Sequence, residues 1–162
     1  MLTRSRTGRR RGAVILESAI VYPVFFLLLF GLIVGGLGVF RYQQVTCQAR
    51  EATRWACVRG GRYHKETGQP CPGADAIRQA AVLPLTAGMD VSQLTVQVVW
   101  IDESTGTAYD WDQSAKWPTS TTQAGQVVSN HVQVTVTYQW LPEVFLAGPI
   151  NLKSVSEIPM QY

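Results

Sequence analysis

Glu17 is the residue of this chain whose position most clearly requires a chemical partner. It is the single charged residue in positions 13–40, and the 23 positions 18–40 that follow it contain no charge. A carboxylate at the edge of a bilayer core costs about 2–3 kcal/mol when it is unpaired, and less near the interface. Two interpretations follow: either Glu17 lies shallowly and reaches the headgroups, or it meets a positive group that lowers this cost.

Three cysteines, Cys47, Cys57 and Cys71, are the other groups with evident chemistry. On the oxidising side of a membrane, an odd number indicates one pair and one spare. A disulfide between Cys57 and Cys71 would close a loop of about 15 residues and constrain the unfolded chain by about 3 kcal/mol. We therefore predict this disulfide, with three free thiols as the alternative. Cys47 is the spare, and it could pair between subunits.

The remaining titratable residues predict no catalytic or metal centre. The segment 102–112 is acidic, but Asp110-Trp111-Asp112 within it lacks the glycine and terminal glutamate of a calcium loop, which favours a solvated loop. Zinc is disfavoured because His64 is the sole imidazole near the cysteines and no CxxC pair exists. His131 lies on the polar face of a predicted strand. Because P-loop, GxSxG and HExxH motifs are also missing from the sequence, we expect no enzyme activity and no cofactor.

The uncharged stretch 18–40 predicts a membrane-embedded helix. It would be about 34 Å long at about 1.5 Å per residue, which is enough to cross a hydrocarbon core of about 30 Å. A buried core helix is a poor alternative, because the remaining chain of about 120 residues could hardly surround a helix that is apolar on every side. A cleavable signal peptide would have a shorter apolar region, although Gly36-Leu37-Gly38 imitates its cleavage site.

Basic residues are concentrated ahead of this stretch. Residues 1–12 contain five arginines and no acid, whereas only Arg41 lies immediately beyond the other end. The positive-inside rule therefore places the N-terminus in the cytoplasm and residues 41–162 outside. Without residues 1–12 the chain has nine basic and eleven acidic residues, a net charge of −2. This distribution does not fit a nucleic-acid interface, which groups basic residues on one surface.

The segment 9–60 resembles the TadE-like family of the tight-adherence (Flp) pilus system. Its start, RRRGAVILE, is similar to a type IV prepilin processing site: a basic leader, a glycine, apolar residues, and a glutamate five positions beyond the glycine. An early proline in the apolar stretch, Pro23, and the later helical sequence AREATR extend the resemblance.

This resemblance implies cleavage between Gly12 and Ala13 by a prepilin peptidase. The cut would give Ala13 an ammonium group about one helical turn from Glu17, which becomes the fifth residue of the mature chain. An ammonium and a carboxylate, in the same chain or in neighbouring subunits, lower each other's cost only while they are together. Glu17 is therefore predicted to register subunits that pack side by side.

Beyond Arg41 the helical pattern continues as far as Gly60-Gly61. It carries a heptad-like stripe of mostly small side chains: Tyr42, Val45, Ala49, Ala52 and Ala56. Such a stripe is suited to packing on the protein's own globular domain or on neighbouring subunits. A short amphipathic helix is then predicted over residues 73–83.

Strands are predicted in the C-terminal half. Alternating apolar and polar residues indicate strands over 94–101 and 131–140, and a weaker third strand over 152–160. The segment 102–126, between the first two of these strands, is either a long loop or an additional hairpin. Trp111 and Trp117 in this segment either form an exposed adhesive surface or cover a small core.

Together these patterns predict an α+β fold, in which a long N-terminal transmembrane helix extends into a small domain with a three- to four-stranded antiparallel sheet. The predicted regions are a basic leader at 1–12, a transmembrane helix at 13–40, its extension outside the membrane at 41–59 and an extracytoplasmic head at 60–162.

The predicted function is that of a minor pilin or pseudopilin in the assembly of a Flp-type pilus or related secretion system. The alternative is an uncleaved single-pass envelope protein whose outer domain binds a partner. Expected partners are a prepilin peptidase, other pilins or pseudopilins, the inner-membrane assembly machinery and the lipid bilayer, with no nucleic acid. The expected location is the bacterial inner membrane, with the N-terminus cytoplasmic and the C-terminal domain extracytoplasmic; after assembly the protein could reach the cell surface.

Overall fold

The computed structural model describes residues 7–112, 118–142 and 148–161. The chain forms two compact units, Met1–Gly38 and Val39–Tyr162. The first unit contains most of the apolar stretch, and the second contains the head with the residues that lead into it.

A long α-helix, α1, runs from Thr7 to Cys57. It includes the predicted transmembrane segment and residues 41–57 of its predicted extension, and it continues through Pro23 without a break. The helix ends shortly before Gly60-Gly61, as expected from the low helix propensity of glycine. The backbone of the uncut chain is also helical at Gly12 and Ala13.

Short helical elements connect α1 to the strands. Two of them are α-helices: α2 (Gly61–Thr67) and α3 (Ala74–Ile77). The others are a π-helical turn and two 3-10 turns: Arg78–Val82, Leu83–Leu85 and Val91–Gln93. A helical segment therefore lies where residues 73–83 predicted one, but its hydrogen bonding changes from α to π and then to 3-10 along its length.

Six strands are present in the described part of the chain: β1 (Leu94–Asp102), β2 (Thr107–Asp110), β3 (Ser120–Gln123), β4 (Gln126–Ser129), β5 (His131–Trp140) and β6 (Ile150–Pro159). Four of them form an antiparallel sheet in the order β2-β1-β5-β6, and β3 and β4 form a separate hairpin. Val134 at the centre of β5 pairs with Val98 of β1 and Ser156 of β6. The predicted α+β class and the antiparallel sheet are thus confirmed.

The core of the head lies between the outer end of α1 and one face of the sheet. Val45, Ala49, Ala52 and Ala56 of the predicted stripe are fully buried, whereas Tyr42 is about half exposed. The four buried residues of the stripe belong to one hydrophobic cluster with the buried valines of β1 and β5. The buried hydroxyl of Thr53 lies 2.7 Å from the carbonyl oxygen of Ala49 in the same helix and 3.2 Å from that of Ser156 on β6.

The segment 102–126 contains regular structure rather than one long loop. Its first part returns along β1 as β2, with Trp100 opposite Tyr109. Its second part begins the β3–β4 hairpin, in which Thr121 is opposite Val128. Of the two open interpretations of this segment, the additional hairpin is correct.

Candidate functional site

The apolar part of α1 has the properties of a membrane span. Among the described residues, Val14–Cys57 is the one helix long and apolar enough to cross a bilayer, with a mean hydropathy of 2.5 in its most apolar window and none of that window buried. Large side chains such as Leu32, at 76 % exposure, cover it on all sides. These exposed side chains fit a membrane span better than a buried core helix, whose apolar surface would be covered.

Gly12, Ala13 and Glu17 lie within the first turns of α1, and Gly12 and Glu17 are exposed. One turn of helix is about 3.6 residues, so Glu17 follows Ala13 by slightly more than one turn. The pairing of Glu17 with an ammonium at Ala13 requires the cut chain. The cleavage and the pairing both stay predictions.

All three cysteines are free in the structure, and Cys47 is exposed. The thiol of Cys57 donates to the carbonyl oxygen of Arg54 at 3.2 Å, and the thiol of Cys71 donates to that of Gly60 at 3.3 Å. Burial raises the pKa of both thiols. The structure thus gives no support to the predicted Cys57–Cys71 disulfide, because each thiol has a separate backbone partner.

The carboxylates of the acidic segment hold turns together. Asp102 accepts hydrogen bonds from the backbone N–H and the hydroxyl of Ser104, at 2.9 and 2.6 Å. Asp112 accepts from the backbone N–H of Ala74 at 2.8 Å and so covers the start of α3. In residues 7–112, 118–142 and 148–161, no group of three or more potential ligands could hold a metal ion. These acids therefore have structural partners within the fold.

Trp111 covers the core rather than offering an adhesive surface. Its side chain is fully buried, and its indole N–H donates to the carbonyl oxygen of Pro72 at 2.8 Å. This bond joins the end of β2 to the segment that follows Cys71. Trp117 lies outside the described residues, so the same question stays open for it.

The two histidines are at the surface of the head. His131 Nδ1 lies 2.8 Å from Glu157 Oε1, and Gln133 donates to the other carboxylate oxygen at 2.9 Å. The contact with His131, followed by that with Gln133, holds the pKa of Glu157 below its usual value. His64 Nδ1 lies 2.7 Å from the carbonyl oxygen of Gln69. Each histidine therefore has a local partner typical of a surface residue.

Arg41 and two glutamines on α1 hold the turn at residues 85–89, a role that the sequence analysis did not predict. Arg41 donates to the carbonyl oxygens of Ala87 and Gly88, and Gln44 also donates to Ala87. The buried Gln48 donates to the carbonyl oxygen of Leu85 at 3.1 Å. The three donors recur at helical spacing along one face, which is the signal in the sequence that could have revealed them.

The family to which this N-terminal region is similar follows from comparison with known proteins. Residues 12–54 match the family model described as TadE-like protein. This segment is TadE-like. The match includes Gly12, Glu17, the apolar span and most of the outer half of α1, and it confirms the predicted resemblance. It ends before α2, so the sheet of the head lies beyond it. No curated protein and no solved structure matches the chain.

Proposed function

We propose that this protein is a non-enzymatic minor pilin or pseudopilin that takes part in assembling a tight-adherence (Flp) type pilus or a related secretion system. The observation that carries the proposal is the TadE-like match over residues 12–54. That match includes the apolar stretch of α1, whose large side chains are exposed on all sides. Such a helix has two kinds of environment that would cover it: lipid before assembly and neighbouring helices after it.

The proposed processing site is the Gly12–Ala13 bond. A prepilin peptidase cuts there, removes the five leader arginines and leaves an ammonium group at Ala13. The protein enters the bacterial inner membrane with its N-terminus in the cytoplasm and its head outside, in accordance with the charge asymmetry of the span. The assembly machinery of the inner membrane and other pilins are its proposed partners.

The proposed role of Glu17 is to register neighbouring subunits. Its carboxylate would be costly in an apolar helix bundle unless it met the ammonium of its own or a neighbouring chain. When the ammonium belongs to a neighbouring chain, only one axial offset between the two helices brings the two charges together. The charge pair would thus select one packing register from the many that an apolar surface permits.

N-terminal sequencing of the protein extracted from membranes tests the processing step. We expect the mature chain to begin at Ala13, and we expect Gly12→Val to accumulate with its leader attached. A wild-type chain that begins at Met1 would refute prepilin processing. That result would favour an uncleaved envelope protein whose outer domain binds a partner.

Glu17→Ala tests the registration role separately from processing. We expect this variant to insert into the membrane normally but to enter filaments or pulled-down pilin complexes at a strongly reduced level. Glu51→Ala is the matched control, since Glu51 is an exposed acid on the same helix that makes only a loose ion pair with Arg54, at 3.9 Å. Equal incorporation of both variants would disprove the registration role.

A further inference from the structure

A cavity of about 360 Å³ opens at the edge of the head, within the unit that begins at Val39. Its lining includes one basic and one acidic residue, Arg41 and Asp90, together with the apolar or aromatic residues Tyr138, Trp140 and Leu141. Its size falls within the range of small-molecule sites, about 300–1,000 Å³. None of the roles described above uses this cavity.

The guanidinium group of Arg41 is held in a fixed position with donors to spare. It donates to the side chain of Gln44 and to the carbonyl oxygens of Ala87 and Gly88. These bonds use three of the five N–H groups of an arginine, which leaves two for a ligand. Gly88 has a φ of +68°, and a Cβ there would lie 3.3 Å from an Arg41 nitrogen, so glycine permits this close approach.

Asp90, which carries a carboxylate, also lines this cavity. It accepts hydrogen bonds from the backbone N–H and the hydroxyl of Ser92, at 2.9 and 2.8 Å. The hydroxyl bond, followed by the N–H bond, lowers the pKa of Asp90 below its usual value, so this group is anionic at neutral pH. A ligand that satisfies the cavity therefore carries a negative group for Arg41 and a positive group for Asp90.

The position of the cavity along the chain indicates where such a ligand comes from. Arg41 directly follows the uncharged stretch 18–40, and its guanidinium lies 5.8 Å from the centre of the Phe40 ring. The headgroup layer extends about 5–7 Å beyond each side of the hydrocarbon core, so the residue after the span lies in that layer. The side chains of Phe40 and Leu141 are exposed, at 55 % and 68 %, and exposed apolar side chains are suited to contact with lipid.

We propose that this cavity binds the headgroup of a phospholipid with a primary ammonium, such as phosphatidylethanolamine, from the bilayer that the span crosses. The phosphate accepts hydrogen bonds from Arg41, and the ammonium donates to Asp90. A choline headgroup has no N–H to donate, and a glycerol headgroup has no cation for Asp90. The proposal rests on membrane insertion of the span and not on prepilin processing, so an uncut chain would bind the same lipid.

Lipid titration of the full-length protein in nonionic detergent tests this site. Native mass spectrometry measures the binding of phosphatidylethanolamine, phosphatidylcholine and phosphatidylglycerol. We expect phosphatidylethanolamine to bind about tenfold more tightly than phosphatidylcholine, because hydrogen bonds to charged groups are among the stronger ones. Asp90→Asn should abolish this preference and bring phosphatidylglycerol to at least the same affinity.

Asp90→Asn is a sharper variant than one at Arg41, because an asparagine oxygen also accepts both Ser92 bonds, whereas Arg41 also holds the turn at Ala87. Asp75→Asn is the control, since Asp75 is an exposed acid of the head outside the cavity lining. Equal affinities for the three lipids, or a preference that Asp90→Asn leaves unchanged, would overturn the proposal. The proposal would also be overturned if the wild-type protein bound phosphatidylglycerol most tightly, because the cavity would then select for the negative charge of the lipid and not for an ammonium group.

Discussion

Asn130 joins three segments of the head, and its replacement by alanine is the most informative test of how the head is held together. The residue is fully buried immediately before β5. Its amide oxygen accepts from the backbone N–H of Glu103 and the hydroxyl of Thr121, both at 3.1 Å. Its amide nitrogen donates to the carbonyl oxygen of Pro118 at 2.7 Å. The side chain thus connects the β1–β2 turn to the β3–β4 hairpin.

The expected cost of Asn130→Ala follows from the groups that lose their partners. The hydroxyl of Thr121 also contacts Asp102 at 3.3 Å, so it retains an acceptor. The N–H of Glu103 and the carbonyl of Pro118 lose the bonds that Asn130 provides. A buried polar group left unsatisfied costs about 1–3 kcal/mol, and because Glu103 and Pro118 are exposed residues, water offsets part of this cost. We expect the free energy of unfolding of the head to fall by about 2–4 kcal/mol.

Urea unfolding of the full-length protein in detergent, followed by tryptophan fluorescence, measures this change. A small domain is stable by about 5–15 kcal/mol, so the midpoint should shift far beyond experimental error. Val127→Ala is the control, because Val127 lies in the same hairpin but is 75 % exposed; its effect should stay within about 0.5 kcal/mol. If Asn130→Ala also lost less than about 0.5 kcal/mol, these three hydrogen bonds would not stabilise the head.

Three further changes test other parts of the head. The pKa of Glu157 is lower in the folded protein than in the unfolded chain, where it is about 4.3. The ionised carboxylate therefore stabilises the fold above the unfolded pKa, and this stabilisation is lost as the pH falls through the folded pKa. The urea midpoint of Glu157→Gln should accordingly fall less between pH 7 and pH 3 than that of the wild-type protein. Maleimide should label Cys47 in the folded protein well before Cys57 and Cys71, because these two thiols are less exposed and have raised pKa values. A linked Cys57–Cys71 peptide in a non-reducing peptide map would instead support the predicted disulfide. Val134→Ala should reduce the free energy of unfolding by about 2 kcal/mol, because Val134 is fully buried; an unchanged urea midpoint would contradict this central position in the core.

The N-terminal half of the protein was largely predictable because its signals are local. An uncharged stretch longer than the bilayer core is thick specifies a span without reference to any other segment. The spacing of Gly12 and Glu17 relative to that stretch carries the family resemblance, which the match over residues 12–54 confirms. Strict alternation likewise specified β5, since one polar and one apolar face require a half-buried strand.

The tertiary structure alone decided which distant segments meet. The buried Trp111 donates its indole N–H to the carbonyl oxygen of Pro72, 39 residues earlier, and nothing in the local sequence marks that pair. Arg41 was predicted only as a flanking charge, but it holds a turn 46 and 47 residues later in the chain. Local patterns specify which face of a helix or strand is buried, whereas the partner of each polar group depends on how the chain returns to it. The sequence by itself thus determined the long apolar helix and the strands β1, β5 and β6, whereas the fold decided the course of the segment between β1 and β5 and the contacts that build the head.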